Sequence, residues 1–430
     1  MGYNTQSMPA TLSITFSQNR RSRMNSSDTT RLAADADAAN AASANVVSAN
    51  VVSANSAELV AATIASAPGP ILPVGARTKP ALSACDGQTT RLDMRNLTGV
   101  VSYDSSEFLI SARAGTPLTE LQAALDEERQ YLPFDPLFVS QGATLGGTVA
   151  SGLSGAGRLL YGSLRDFVME VQLVDGLGKL VRGGGKVVKN AAGFDLPKLV
   201  VGSYGRLGVL TEVTLKVFPS PPAAATLQAE SSNVPDAIAA VQALLSQPLP
   251  IASLDLQFER SDCVQIFARF AAHSDSLPEV LSRAQAACRL PSECVYESSQ
   301  EQQLWRDRAA GIEGLDGGSA NILVRIATTL PALAQLAPAL LSLSDARLHS
   351  TGGGSVVWLS LPTNSNLDQL DQLLKLQGLP AIVVCAPDHE ANAALRPLGE
   401  CHWLAIARRI QQALDPHQKF VPFDTRPLPA

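Results

Sequence analysis

Sixteen of the chain's 31 glycines fall between Gly142 and Gly208, and the same region is locally basic. From Ser151 to Lys216 there are nine Lys or Arg and five Asp or Glu, a surplus of four (nine minus five) inside a chain of net charge −6. Glycine lets backbone N–H groups approach a ligand closely, and successive N–H groups in such turns form concavities that bind anions. Hydrogen bonds made there to a phosphate are charge-assisted, about 1.5–3 kcal/mol each. A basic, glycine-rich region without a metal motif suits the pyrophosphate of a dinucleotide. Two familiar phosphate turns do not apply. Gly202-Ser203-Tyr204-Gly205-Arg206-Leu207-Gly208 is spaced GxxGxxG and precedes a strand, so it is not the GxGxxG turn of a Rossmann unit. Arg182-Gly183-Gly184-Gly185-Lys186 lacks both the upstream Gly and the Ser/Thr of a P-loop, which argues against nucleotide hydrolysis.

The other chemistry-bearing residues are scattered. Cysteines at 85, 263, 288, 294, 385 and 401 make no CxxC pair, and the five histidines make no HExxH. Reduced thiols in a cytoplasmic protein, with no metal site, are expected. Length and composition then bound the rest. Four hundred and thirty residues predict two or three domains, and 46% hydrophobic residues suffice to bury their cores. An acidic balance argues against nucleic acid as a partner. The most apolar stretch, Leu330 to Leu343, is broken by Pro331, Gln335 and Pro338, so no membrane span is expected.

The elements that must position the glycines can be read from periodicity. Ser56 to Ala67 reads as a helix, and Ile71–Val74, Val100–Tyr103 and Phe108–Ala112 read as strands. Thr116 is read as the cap of a helix with Pro117 at its first position and Leu118, Leu121 and Leu125 on one face. Phe167–Val174, the turn Asp175-Gly176 and Leu177–Arg182 predict a hairpin. Val209 to Val217 alternates as a half-buried strand should, and Pro219-Ser220-Pro221-Pro222 ends it at an expected domain boundary. Beyond it, helical stretches (235–245, 277–287, 367–376, 401–414) alternate with strand-like ones (264–270, 322–327, 356–361, 382–385), which predicts a second α+β domain. Residues 1–55, with Ala-Asn-Val-Val-Ser repeated from Ala44 and Ala49, are read as a disordered low-complexity tail. The expected division is therefore 1–55, 56–219 and 220–430.

Three segments carry a resemblance. They are Pro73-Val74-Gly75-Ala76-Arg77-Thr78-Lys79, the run from Gly142 through Gly155 to Val168, and the run from Gly184 through Lys189-Asn190 to Val213. In order and separation they resemble the FAD-binding domain of the vanillyl-alcohol oxidase / p-cresol methylhydroxylase (PCMH-type) flavoproteins. Within that superfamily the wording is similar to the FAD-binding E-subunit family of bacterial glycolate oxidases. The resemblance implies an α+β fold: a two-subdomain PCMH-type FAD-binding domain, then an α+β, ferredoxin-like, FAD-linked oxidase C-terminal domain.

Carried over by position, Val74, Gly75, Ala76, Arg77, Thr78 and Lys79, with Ala143, Thr144, Gly146 and Gly147, are expected at the FAD diphosphate. Ser151, Gly152, Ser154, Gly162, Ser163 and Val209 are expected along the rest, with Lys189 and Asn190 as weaker candidates. The first loop carries no His or Cys, so the FAD is expected to be non-covalent. The resemblance further implies a glycolate or D-lactate dehydrogenase in which a small 2-hydroxy acid gives a hydride to flavin N5. Electrons would then pass to partners, a catalytic flavoprotein subunit and an iron–sulfur subunit, with membrane association only through them. The family's His-rich, metal-holding C-terminal motif is missing, which leaves a second reading open: an accessory FAD-binding, electron-transfer subunit. Arg325, on an apolar strand, is the one candidate for the substrate carboxylate; an edge-strand Arg reaching solvent is the plain alternative. No catalytic base is identified.

Overall fold

A computed structural model describes residues 51–185, 195–295, 298–315, 321–387 and 395–423. Lys189 and Asn190, and the expected tail up to residue 50, lie outside them. The tail's last residues depart from the expectation. Val51–Ser53 form a strand parallel to Thr90–Asp93, and Ala54 is fully buried. A three-residue strand needs only backbone pairing and a valine, so a low-complexity composition does not prevent it.

Thr90–Asp93 lies between Val51–Ser53 and Ile71–Val74 in a small parallel sheet. The helix Ala57–Ser66 is capped by the Ser56 side chain, which accepts from the Leu59 N–H, and it buries Val60 and Ile64. Ile71–Val74 ends directly at the Gly75–Lys79 loop, so the sheet fixes where that loop begins.

Next comes a five-stranded antiparallel sheet, ordered Val100–Asp104, Leu109–Arg113, Val209–Lys216, Val168–Val174, Leu180–Gly184. Val209–Lys216 is its central strand and is covered on both faces rather than half-buried. Its polar residues tolerate this because neighbouring strands satisfy them. Thr214 exchanges a hydroxyl hydrogen bond with Ser111 at 2.8 Å, and Thr211 donates to Gln172. The helix Leu118–Glu127 buries the expected leucines, but its cap is Pro117, with no side-chain cap bond. Thr116, one residue earlier, instead accepts from the Gly99 N–H at 2.9 Å and ties the helix entry to the sheet.

The sheets divide at Pro219–Ala223. The following nine-stranded sheet is antiparallel and takes its strands from Ala223 to Gly399. One face packs helices Val234–Leu245, Leu277–Cys288, Leu330–Leu341 and Leu367–Leu376 around Leu244, Leu281, Leu336 and Leu374. The other face meets the first half: Leu323, Trp358 and Ile382 share a core with Phe134, Phe138 and Leu210. The chain then returns. After the helix Trp403–Leu414, Phe420 bridges in parallel to Ile71, and the Asp415 carboxylate accepts from the Lys419 and Phe420 N–H groups. Residues 403–423 thus brace the sheet that carries the Gly75 loop. No helix among the described residues is long and apolar enough to cross a membrane.

Candidate functional site

Three loops converge at the ends of these sheets. A cleft of about 760 Å3, its open mouth included, runs between the 73–79 loop, the short helix Leu145–Ser151 and the turn Ser203–Gly208. Its floor is apolar, with Leu82, Met94 and Leu210. Of the residues expected at the cofactor, Val74, Gly75, Ala76, Arg77, Thr78, Lys79, Thr144, Gly146, Gly147 and Ser151 line it.

The other expected residues stand behind the lining. Ala143 is buried, with its N–H on Phe138 O and its carbonyl accepting from Leu118. Gly152 is the left-handed cap of Leu145–Ser151. Ser154 accepts from the Leu164 N–H, Gly162 (φ +92°) precedes Ser163, and Ser163 bonds Asp166 as the cap of the next turn. Val209, fully buried, starts the central strand.

Backbone donors are unevenly distributed. The N–H groups of Leu145, Gly146 and Gly147 are already taken, by Thr116 O, Ala114 O and Thr144 Oγ1. Those of Gly75, Ala76, Arg77 and Thr78 have no partner among the described residues. Arg77 sits in the left-handed region at φ +55°, which turns successive N–H groups the same way. Behind them Lys79 is buried, donates to Thr78 Oγ1 at 2.9 Å and lies 4.9 Å from the Phe138 ring centre. Gly75 and Gly146 let the walls close: a Cβ on Gly75 would overlap Thr144 Oγ1, and one on Gly146 would meet Ala114 at 2.8 Å. Free N–H groups, one cation and close walls fit a pyrophosphate.

Arg206, missed as a site organiser, is fully buried and donates to the carbonyls of Leu82, Tyr204 and Pro422. It ties the Ser203–Gly208 turn to the loop after Lys79 and to the returning segment at Pro422. Burial pushes its guanidinium down to about 10. Only its place between closely spaced glycines could have signalled this.

At one end of the cleft lies Tyr204, φ +53°, whose phenol is pushed up by burial and moderated by Arg325 and Arg206. Arg325 is on an interior strand, not an edge. Asn321–Ala327 runs between Val356–Pro362 and Pro380–Cys385, with Arg325 opposite Trp358 and Ile382. Arg158, at the start of the short helix after Gly157, packs its stem against Gly352. Burial holds both guanidiniums below their usual range; the neighbouring Arg158 lowers Arg325 further, while Asp166 partly offsets the fall at Arg158. Neither forms an ion pair or side-chain hydrogen bond among the described residues.

A second polar region lies on the far side of loop 130–140. Asp135 (φ +46°) accepts from the Gly157 N–H at 2.7 Å. Enclosure pushes its carboxyl up to about 6 despite Arg269, with Asp255 and Glu301 adding to the rise. A carboxyl raised in the folded state contributes stability that is present below the unfolded value of 3.8 and lost as pH rises through about 6. Asp135→Asn keeps an acceptor for Gly157 and a side chain that tolerates the left-handed region. Denaturant midpoints of the two proteins should coincide near pH 3, and by pH 7 the variant should gain up to about 3 kcal/mol. A difference that does not grow with pH would refute this account.

Residues 48–184 match the FAD binding domain family, so this stretch is an FAD-binding domain and FAD is its cofactor. Within that class, the chain is 48% identical over 168 residues to the glycolate oxidase subunit GlcE of Escherichia coli, covering 39% of this chain and 47% of that protein. It is 30% identical over 258 residues to a D-lactate dehydrogenase of Anaerostipes hadrus, covering 59% and 53%. The chain thus spans about half the length of these curated relatives. Among solved structures, alkyldihydroxyacetonephosphate synthase superposes with a TM-score of 0.66 at 15% identity over 86% of this chain and 75% of that one, which shows the shared PCMH-type fold.

Proposed function

We propose that the chain is the FAD-binding subunit of a 2-hydroxy-acid dehydrogenase acting on glycolate or D-lactate. The FAD-binding domain ends at Pro219, and residues 220–430 form the substrate-side domain. The observation that carries the reading is the pair of half-buried guanidiniums, Arg325 and Arg158, which act on each other's charge, form no ion pair among the described residues, and include Arg325 within the field of Tyr204 at the end of the cleft. A partly enclosed cation that forms no ion pair is costly, and a substrate carboxylate supplies the missing charge.

The N–H groups of 75–78 and Lys79 would hold the diphosphate, and the apolar floor at Leu82, Met94 and Leu210 would exclude water along the cofactor. FAD, when bound, supplies the acceptor for the hydride of the carbinol carbon. Arg325 orients the carboxylate through its planar fork, and Arg158 offsets the remaining negative charge. The Tyr204 phenol, held protonated by burial, is placed to hydrogen-bond the substrate without removing its proton.

The names of the relatives support the substrate class, and those that are subunits support a multi-subunit enzyme. Anaerobic mixing of the FAD-loaded chain with glycolate or D-lactate tests it. Bleaching of the flavin absorbance by either acid is the expected result. Flavin that stays oxidised until a partner protein is added would assign the chemistry to another subunit and leave this chain an accessory carrier.

A further inference from the structure

Arg158 stands on a support too small to place it. Its helix, Arg158–Tyr161, is a single turn, and Gly157 before it has no side chain to cap it. The guanidinium forms no ion pair among the described residues. Its stem rests on Gly352, where a Cβ would meet Arg158 Cγ and Cδ at 3.3 and 3.4 Å. Something further must fix where this arginine begins.

Asp135 does so. It lies in Pro133-Phe134-Asp135-Pro136, where Pro136 disfavours the right-handed helical region for residue 135, and its φ is +46°. A non-glycine residue persists there only when its surroundings over-determine it. Those surroundings are the glycines that precede Arg158. The Gly155 N–H donates to Phe134 O at 2.9 Å and to Asp135 O at 2.8 Å, and the Gly157 N–H donates to Asp135 Oδ2 at 2.7 Å. A Cβ on Gly155 would overlap Asp135 O, and one on Gly157 would overlap Pro133 O. Carbonyls and carboxylate thus grip 155–157 closely, and the next residue along the chain is Arg158.

Among the described residues the Gly157 N–H is the one hydrogen-bond donor to this carboxylate. Arg269 acts on its charge but is held by Glu301 in a two-pronged pair at 2.8 and 2.9 Å. Nor does Asp135 act on Arg158 through space, for the carboxylate whose charge reaches that guanidinium is Asp166. The link runs through the backbone. We infer that Asp135 is a positioning residue, whose carboxylate, through the Gly157 N–H, sets where the Arg158 guanidinium meets the substrate carboxylate. The inference rests on the proposed function, which gives Arg158 a carboxylate to offset. A shift of the chain at Gly157 is carried along the arginine side chain, and hydrogen bonds weaken steeply when misaligned.

Oxalate, a two-carbon dicarboxylate with no C–H to give up as hydride, probes the site without turnover. Its affinity for the FAD-loaded chain is measured by calorimetry. Arg158→Gln and Asp135→Gly should each weaken it by about tenfold or more, the loss of one charge-assisted bond. Glycine removes the carboxylate yet accepts a left-handed backbone. Asp135→Asn keeps an acceptor for the Gly157 N–H and should stay within about threefold of the native chain. The double variant Asp135→Gly/Arg158→Gln should bind within about twofold of Arg158→Gln alone, because the two losses are one. A merely structural aspartate would lower the affinity again in that background. Flavin content should not change, since Asp135 is absent from the lining of the cofactor cleft. Undiminished binding by Asp135→Gly, or additive losses in the double variant, would overturn the positioning role alone. No binding of oxalate by the native chain, or full binding by Arg158→Gln, would overturn the proposed substrate site and this inference with it. If Asp135→Gly does not fold, Asp135→Ser, one bond shorter than the carboxylate, is judged by the same outcomes.

Discussion

Replacing Gly75 with valine is expected to give folded but colourless protein. A Cβ at this position overlaps Thr144 Oγ1, and Thr144 cannot simply turn aside. It is β-branched, and its hydroxyl caps Leu145–Ser151 by accepting from the Gly147 N–H. The loop must therefore move, carrying the N–H groups of 75–78 away from the cleft. Losing two charge-assisted bonds at about 1.5–3 kcal/mol each weakens FAD binding by roughly 10²- to 10⁴-fold. Fold should persist, because Ile71–Val74 is held from both sides, by Thr90–Asp93 and by the bridge to Phe420. Gly87→Ala is the matched control: its added Cβ meets nothing within 4 Å, and it should retain full flavin. The flavin-to-protein absorbance ratio, with circular dichroism as the check on folding, decides. Equal flavin in Gly75→Val and the native chain would remove the 75–78 loop from the site.

Which parts of this arrangement were legible in the sequence follows from what each residue's role depends on. The Gly75–Lys79 loop was legible because its requirements are local: a strand end, a small residue and a cation four positions on. The central strand Val209–Lys216 was read correctly in extent and wrongly in burial. Alternation cannot show that Thr211 and Thr214 find partners on neighbouring strands, which is what lets them be covered. Arg325 was visible as a charge on an apolar strand, yet its interior position depends on Val356–Pro362 and Pro380–Cys385 pairing on either side. The resemblance faded before those segments.

Other elements carried a signal that went unused. Ile251–Arg260 alternates Leu254, Leu256 and Phe258 with Ser253, Asp255 and Gln257, a strand pattern with a buried acid on its second face. Its partner Arg308 lies on a helix so polar that only Glu301, Trp305, Arg308 and Ile312, spaced three and four apart, mark an inner face. Arg206 was beyond reach altogether. Its three carbonyl partners come from positions 82, 204 and 422, and no local pattern foretells that the segment around Pro422 returns there.

Arg325→Gln should separate substrate chemistry from cofactor binding. On the proposed reading the guanidinium holds the carboxylate in two parallel charge-assisted bonds, and an amide offers neither the charge nor the fork. Truncating one partner of an enclosed charge pair costs about 2–5 kcal/mol, so kcat/KM for flavin reduction should fall by roughly 10²- to 10³-fold. Flavin content should not change, because Arg325 is absent from the lining of the cleft. Arg325→Lys should fall between, keeping the charge without the bidentate geometry. Arg158→Gln should cost less, since its guanidinium already feels Asp166, and the double variant should lose less than the product of the singles if both arms hold one anion. Stability offers the internal check. Relieving an enclosed cation beside Arg158 should leave the denaturation midpoint of Arg325→Gln unchanged or higher, which a purely structural arginine would not do. Undiminished reduction kinetics in Arg325→Gln would move the carboxylate site elsewhere on the sheet face.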